Sequence, residues 1–338
     1  MKKLKIGVVG AGNFFLKRYL EEINLNKNVE LTSICRRNKT NLNKISNITG
    51  VKNTYVNHKT MFKKENLDIA LITSPHSKHY EHLRDAIKSN LNILIEKPIV
   101  VTDNQVKKIR ILLKNYKKKI ISILNPAYDP HFHKVENIVS RKNFGKINYA
   151  NIYWSDKKKN MYFKKVIKEN NIQQNNFRYV NNFKDGSIVY DVLPHLISEL
   201  VLIIKKFPLS VYAKSNTKNK VTNLNVNLFF KKNVFVSIKL DGDRKKTKRK
   251  INSTYYSNKN RISVTGKPYK ITNFNLKTKK KINIKFNKKC KNPISEIVDF
   301  INLKSIPKID VKTSLKIVKI LNSVEKSLKK DVQVKMKY

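Results

Sequence analysis

The sequence predicts a two-part α/β chain. A doubly wound domain on a parallel sheet comes first, followed by an α+β domain on a large, mostly antiparallel open sheet. Three observations predict it. Over residues 1–124, short apolar runs alternate with helical patterns, which implies parallel strands joined by right-handed crossovers. After "NPAYDP" (125–130) the apolar spacing changes to period two, as in strands with one buried and one solvated face. At 338 residues, 40% hydrophobic with 15 Phe and 15 Tyr, the chain suits two cores rather than one. The expected domains are 1–124 and 125–338.

The first domain opens on "KIGVVG" (5–10), a buried strand, with a helix over 14–24. "VELTSIC" (29–35) is the next strand, and "DIALITS" (68–74) leads into a helix from about His79 to Ser89. "NILIEKP" (92–98) ends a strand on a proline, a helix covers 103–114, and "KIISIL" (119–124) closes the series. In the second domain a helix spans 131–142 and "KINYANIYWSD" (146–156) alternates as a strand. "VNLFFKKNVFVSIKLDGD" (226–243) is two strands around "KKN", with Val234, Val236, Ile238 and Leu240 on one face. "KINSTYYS" (250–257), "RISVTG" (261–266) and "KKINIKF" (280–286) continue the sheet. An amphipathic helix over 310–328 runs through Leu315, Val318, Leu321, Val324 and Leu328.

No run of 18 apolar residues occurs, so no membrane span is expected. The start "MKKLKIGVVG" is basic then apolar, but its apolar run is too short for a secretory leader and enters a glycine turn. Cys35 and Cys290 lie far apart without metal spacing, which fits reduced thiols in a cytoplasm. The net charge of +50 comes from 73 basic residues, of which only 10 are Arg, spread along the chain. Base and phosphate forks favour Arg, so this Lys excess reads as compositional bias rather than a specific nucleic-acid surface. "RKKTKRK" (244–250) reads as a solvated hairpin edge. A nucleic-acid binder resting on charge alone would show tight, salt-sensitive DNA retention.

Chemistry first enters at "GVVGAGNFFLKRY" (7–19). Gly10 and Gly12 stand where a G-x-G-x-x-G turn needs a tight bend and a close backbone approach to a pyrophosphate, between strand and helix. Phe15 replaces the third glycine, and Asn13 and Phe14 complete the expected cofactor turn. This context makes the first domain a Rossmann domain. At the end of the second strand, "CRRNK" puts Arg36 and Arg37 where an NAD-specific turn carries a carboxylate. Two guanidiniums fit a 2′-phosphate, so the cofactor expected is NADP, with NAD the alternative. "EKP" ends a parallel strand at the carboxyl edge where such sheets bind ligands, which brings Glu96 and Lys97 to the cofactor. Asp191 and His195 are four apart at the start of an apolar helix, so both are expected on one face. A His of near-neutral pKa suits proton transfer to and from a hydroxyl. His76, His79 and His82 have i,i+3 spacing, but without Cys or carboxylate ligands at useful spacing no metal is expected.

The order "GAGNFF", "TSPHSKH" (73–79), "EKP" (96–98) and "GSIVYDVLPH" (186–195) resembles the Gfo/Idh/MocA oxidoreductases, which include glucose–fructose oxidoreductases and inositol dehydrogenases. The resemblance runs to the tail "LNSVEKSLKKDVQV" (321–334), which is similar to the family's last helix and strand. It implies hydride transfer between a nicotinamide and a sugar, nucleotide-sugar or cyclitol carbon. His195 would be the acid/base, with Lys97 and Asp191 organising the reacting oxygen. Ser74, Pro75, His79 and Asn125 would line the cofactor pocket, and Arg178 would bind substrate beside those three. An exposed sheet face in the second domain would pair with another copy as a homodimer or homotetramer. The sequence departs from the family at Phe15, at Pro126 and Ala127 where arginines are common, and at "DGS" (185–187) where glycines are common. The altered glycines at Phe15 and at 185–187 admit a second function class: a regulator that binds NADP and has lost the chemistry.

Overall fold

The computed structural model describes residues 2–157, 183–215, 221–244, 249–266, 268–287 and 290–338. Six strands form the first sheet: β1 (Leu4–Val9), β2 (Val29–Cys35), β3 (Asn53–Tyr55), β4 (Ile69–Ile72), β5 (Asn92–Glu96) and β6 (Ile120–Ile123). All are parallel, in the order β3-β2-β1-β4-β5-β6. β4 is buried along its whole length, as a strand covered by helices on both faces must be. The order reverses between β1 and β4, and that switch point is where a doubly wound sheet opens a crevice at its carboxyl edge. β1 leads into a helical segment over 13–25 that is not uniform. Asn13–Phe15 and Glu21–Leu25 are α-helical, and Leu16–Leu20 between them is a π-helical turn. β3 and the helices Lys39–Thr49 and His58–Lys64 escape the periodicity reading, because few of their side chains are buried and Asn38 and Asn57 begin them as caps.

The second sheet has nine strands: β7 (Ile147–Lys157), β8 (Ser210–Ser215), β9 (Asn223–Phe229), β10 (Phe235–Arg244), β11 (Lys250–Ser257), β12 (Asn260–Gly266), β13 (Lys270–Asn275), β14 (Lys281–Ile284) and β15 (Val334–Lys335). Their order is β14-β13-β12-β11-β7-β10-β9-β8-β15, antiparallel except for the β7–β10 pair. Period-two alternation gives one buried face: Ala150, Ile152, Val226, Leu228, Val236, Ile238 and Leu240. Helix Leu193–Ile204 meets that face, where the Tyr255 hydroxyl donates to Glu199 Oε1 at 2.6 Å.

The described residues divide into two compact units. One holds residues up to 124, together with 183–185 and 291–318; the other holds 125–157, 186–290 and 319–338. The single cut expected from the sequence therefore needs correction, because helix Pro293–Ile301 packs against β5 and β6 of the first sheet. Leu315 and Val318 likewise join the apolar cluster of Ile72, Ile93, Ile95 and Val106. Among the described residues no helix is long and apolar enough to cross a membrane.

Glu199 is fully buried, and burial raises its carboxyl from an ordinary 4.5 to about 7, against the bond from Tyr255 that lowers it. A folded pKa above the unfolded one means the folded chain holds this proton longer. The stability it contributes is present below about 4.5 and is lost as pH rises to about 7. Glu199→Gln keeps an acceptor for Tyr255 and removes the titration. Denaturation from pH 4.5 to 8 should show the variant gaining on the native chain by roughly 3 kcal/mol, with no further gain above pH 7.

Candidate active site

The glycine turn is pinned from below and crowded from the side. The Gly10 and Ala11 amides both donate to the Cys35 carbonyl, at 3.0 and 3.1 Å, which fixes the turn on the end of β2. Gly10 has φ +87°, and a Cβ there would lie 2.6 Å from the Ser74 backbone, so no other residue fits. Gly12 is extended, and a Cβ on it would meet Arg36 Nη1 at 2.6 Å. Arg36 reaches that position by donating from Nη1 to the Ala11 carbonyl at 2.8 Å. One of the two expected guanidiniums therefore lies against the turn itself, while Arg37 is exposed. Asn13 is buried and Phe14 is 40% exposed. Phe15, in the place of the third glycine, is fully buried. Burial pushes the Cys35 thiol up to about 12, so it stays protonated.

Two further turns meet the first, at the ends of β4 and β5. Thr73 joins β4 to the glycine turn, its amide donating to Val9 O at 2.9 Å and its hydroxyl to Gly10 O at 3.2 Å. Ser74 is buried, with its hydroxyl 2.8 Å from His82 Nδ1, and Pro75 caps helix His76–Lys88. That helix starts three residues earlier than expected, which takes His79 off the pocket wall and into the interior. His79 is fully buried between two carbonyls, Nδ1 at 2.7 Å from Pro98 O and Nε2 at 2.8 Å from Ser74 O. Burial, with the Lys97 ammonium adding to it, brings His79 down to about 4, so the ring is neutral at ordinary pH. Its role is to join the Ser74 turn to the Lys97–Pro98 turn, which contains a cis peptide bond. Glu96 and Lys97 are both buried there, at 8% and 7% exposure. Asp185, missed in the sequence, accepts from the Ser77 amide at 2.6 Å at the start of the same helix.

In the second unit Asp191 and His195 do not share a helix. Ile188–Asp191 ends at Asp191, Val192 breaks the path, and Leu193–Ile204 carries His195. Pro194 explains the break, since it has no amide to donate and its ring clashes with the carbonyl of the residue four before it. Both side chains are half-buried. Asn125 opens a 3-10 turn, Asn125–Tyr128, and is exposed. Arg178 lies outside the described residues. His76 and His79 stand with ring centroids 5.6 Å apart, and His82 lies 4.5 Å from His58. His58, Glu81 and Asp85 bring ligand atoms within 4.8 Å of one another. Asp85 is already engaged there, with His58 Nε2 at 2.9 Å and Arg84 Nε at 2.7 Å.

Comparison with known proteins agrees with this fold. Residues 4–123 match the family model described as the oxidoreductase family with an NAD-binding Rossmann fold. An oxidoreductase of Formosa agariphila is 21% identical over 198 residues, 58% of this chain and 59% of that protein. The oxidoreductase YdgJ of Escherichia coli is 20% identical over 43% of this chain and 38% of its own length. The chain thus matches less than two thirds of either relative. In fold, myo-inositol 2-dehydrogenase from Lactobacillus plantarum aligns at TM-score 0.79 and 20% identity, covering 99% of this chain and 100% of that one. The WlbA dehydrogenase of Bordetella pertussis, solved with NADH and UDP-GlcNAcA, aligns at TM-score 0.80 and 16% identity over 100% of both chains.

The crowding at Gly10 makes a simple prediction. Gly10→Ala forces a left-handed residue against the Ser74 backbone and should cost about 2 kcal/mol or more of stability, read by thermal or urea unfolding. A neutral result would mean the two turns do not touch.

Proposed function

We propose, from the match of residues 4–123 to the model of the oxidoreductase family with an NAD-binding Rossmann fold and from the resemblance to the Gfo/Idh/MocA oxidoreductases, that this chain is an NADP(H)-dependent oxidoreductase acting on a sugar, nucleotide-sugar or cyclitol. The observation that carries the reading is the meeting of three turns at the carboxyl ends of β1, β4 and β5, with Lys97 on the last. Gly10 and Gly12, which Ser74 and Arg36 leave no room for side chains, keep the backbone bare at the carboxyl end of β1, where a doubly wound sheet receives a dinucleotide phosphate. Gly10, Gly12 and Asn13 would hold the pyrophosphate, with Ser74, Pro75 and Glu96 shaping the wall around it. A nicotinamide dinucleotide held there would supply the hydride donor or acceptor.

The chain's own residues would handle the substrate oxygen. A ring nitrogen of His195 takes the hydroxyl proton on oxidation and returns it on reduction. Lys97 stabilises negative charge building on that oxygen, and Asp191 orients the substrate hydroxyl. Arg178 would bind a further substrate hydroxyl or carboxylate. The NADP preference is supported by Arg36 and Arg37 and by the missing carboxylate at the end of β2. Arg36 lies against the turn, bonded to the Ala11 carbonyl, and Arg37 beside it is exposed, so both guanidiniums stand at the end of β2 where a 2′-phosphate would be read. Sugar and cyclitol substrates are suggested by the inositol dehydrogenase and the UDP-GlcNAcA-bound relative.

A second copy of the chain is the proposed partner. Across the sheet, register pairs Phe229 with Phe235, Phe235 with Tyr149, and Tyr149 with Tyr256. Their rings form a continuous half-buried row, 5.4, 5.8 and 5.3 Å between centroids. These residues alternate with the core positions and so stand on the other face, where an aromatic row suits a protein interface.

The test is a fluorescence titration of NADPH against NADH, followed by turnover on a panel of sugars, keto-sugars and inositols. The expected result is NADPH bound about tenfold or more tighter than NADH. His195→Ala should lose at least about a hundredfold in turnover with dinucleotide affinity unchanged. Turnover that survives in His195→Ala would sink the acid/base assignment. Tight NADPH binding with no hydride transfer on any panel member would favour the regulator reading, which the buried Phe15 and the "DGS" stretch leave standing.

A further inference from the structure

The helical segment that follows the glycine turn carries a residue whose purpose the cofactor turn does not explain. A π-helical turn fits extra backbone into one turn, and so shifts which way the following side chains face. Here the π-turn Leu16–Leu20 directly follows the buried Phe15, and it carries Tyr19 fully into the interior. The Tyr19 hydroxyl donates to Glu96 Oε1. The other oxygen, Glu96 Oε2, accepts from the Lys97 amide at 3.1 Å. One carboxylate thereby joins the helical segment after β1 to the turn after β5. The Tyr19 ring is itself fixed, with Phe14 edge-on at 6.1 Å and the Arg18 guanidinium over it at 5.8 Å. Burial, and then the Glu96 carboxylate, hold the Tyr19 phenol well above its usual range, so it remains a donor at any working pH.

We propose that Tyr19 is a positioning residue for Lys97: its phenol holds one oxygen of Glu96 so that the other fixes the Lys97 amide. This rests on the reading of Lys97 as the group that steadies the reacting oxygen. Tyr19 touches neither substrate nor cofactor in this role. Its effect reaches the reaction only through Glu96, and the π-turn is what brings it within reach. A purely structural tyrosine would stabilise the fold without moving any property of the Lys97 turn.

The test has an arm that needs no substrate. Tyr19→Phe keeps the ring and removes only the hydroxyl. Amide hydrogen exchange over residues 95–101 should then show Lys97 exchanging about tenfold faster or more, while the core strands exchange as before. NADPH affinity should stay within about twofold, and turnover should fall about tenfold at unchanged KM. The Tyr19→Phe/Glu96→Gln double variant should turn over no more slowly than Glu96→Gln alone, because both act through one bond. Unchanged exchange at Lys97 overturns the proposal whatever the reaction is. Faster exchange with undiminished turnover also overturns it, reducing Tyr19 to a structural role. A native chain with no turnover on any substrate fails the proposed function instead, a result distinguishable because the exchange arm still reports on the Tyr19–Glu96–Lys97 link. Should Tyr19→Phe fold poorly, Glu96→Gln supports the link if its Lys97 exchange rises and overturns it if not.

Discussion

The site depends on one buried imidazole. His79 sits with no solvent exposure between the carbonyls of Ser74 and Pro98, and these belong to different turns on neighbouring strands. A neutral ring has a single N–H for two acceptors, and burial with Lys97 nearby keeps it neutral. The arrangement holds because the surrounding strands over-determine it: β4 and β5 are parallel neighbours whose residues are buried on both faces. His79 therefore fixes the distance between the Ser74 turn, which crowds Gly10, and the turn that presents Lys97. A histidine expected to line the pocket instead stands behind it.

From that fixed pair the rest of the cradle follows. Ser74 leaves Gly10 no room for a side chain, and the Gly10 and Ala11 amides settle on the Cys35 carbonyl. Cys35 ends β2, which places Arg36 directly over Gly12 and binds it to the Ala11 carbonyl. The helical segment then leaves the turn with Phe15 buried and a π-turn behind it, so that Tyr19 reaches Glu96 from the opposite side. Two buried links, the His79 imidazole and the Glu96 carboxylate, thus join the turns at the ends of β1, β4 and β5. Links of this kind let a backbone bind charge without first rearranging.

The periodicity of the sequence carried most of the fold. Parallel strands read as buried apolar runs and the second sheet as alternation, and both lie where those patterns predict. What escaped were elements whose stability comes from elsewhere. β3 and its neighbouring helices bury few side chains, and β13 is half-covered. The placement of Gly10, Gly12 and Lys97 was legible because each answers a backbone or strand-end constraint visible in one short motif. Asp191 and His195 were misjudged in one respect, since a four-residue spacing implies a shared helix only without Pro194 between them. Tyr19 and Asp185 could not be read at all. A π-turn leaves no mark in a 3.6-residue pattern, and Asp185 caps a helix more than a hundred residues away in sequence.

The proposed nicotinamide dinucleotide would sit on the turns that His79 joins. Titrating NADPH against His79→Leu tests that placement most directly, with cooperative thermal unfolding as proof that the variant is folded. Without the imidazole the Ser74 and Pro98 turns lose their common anchor, and the dissociation constant should rise at least about tenfold. An affinity within about twofold of the native chain, in a folded variant, would contradict the claim.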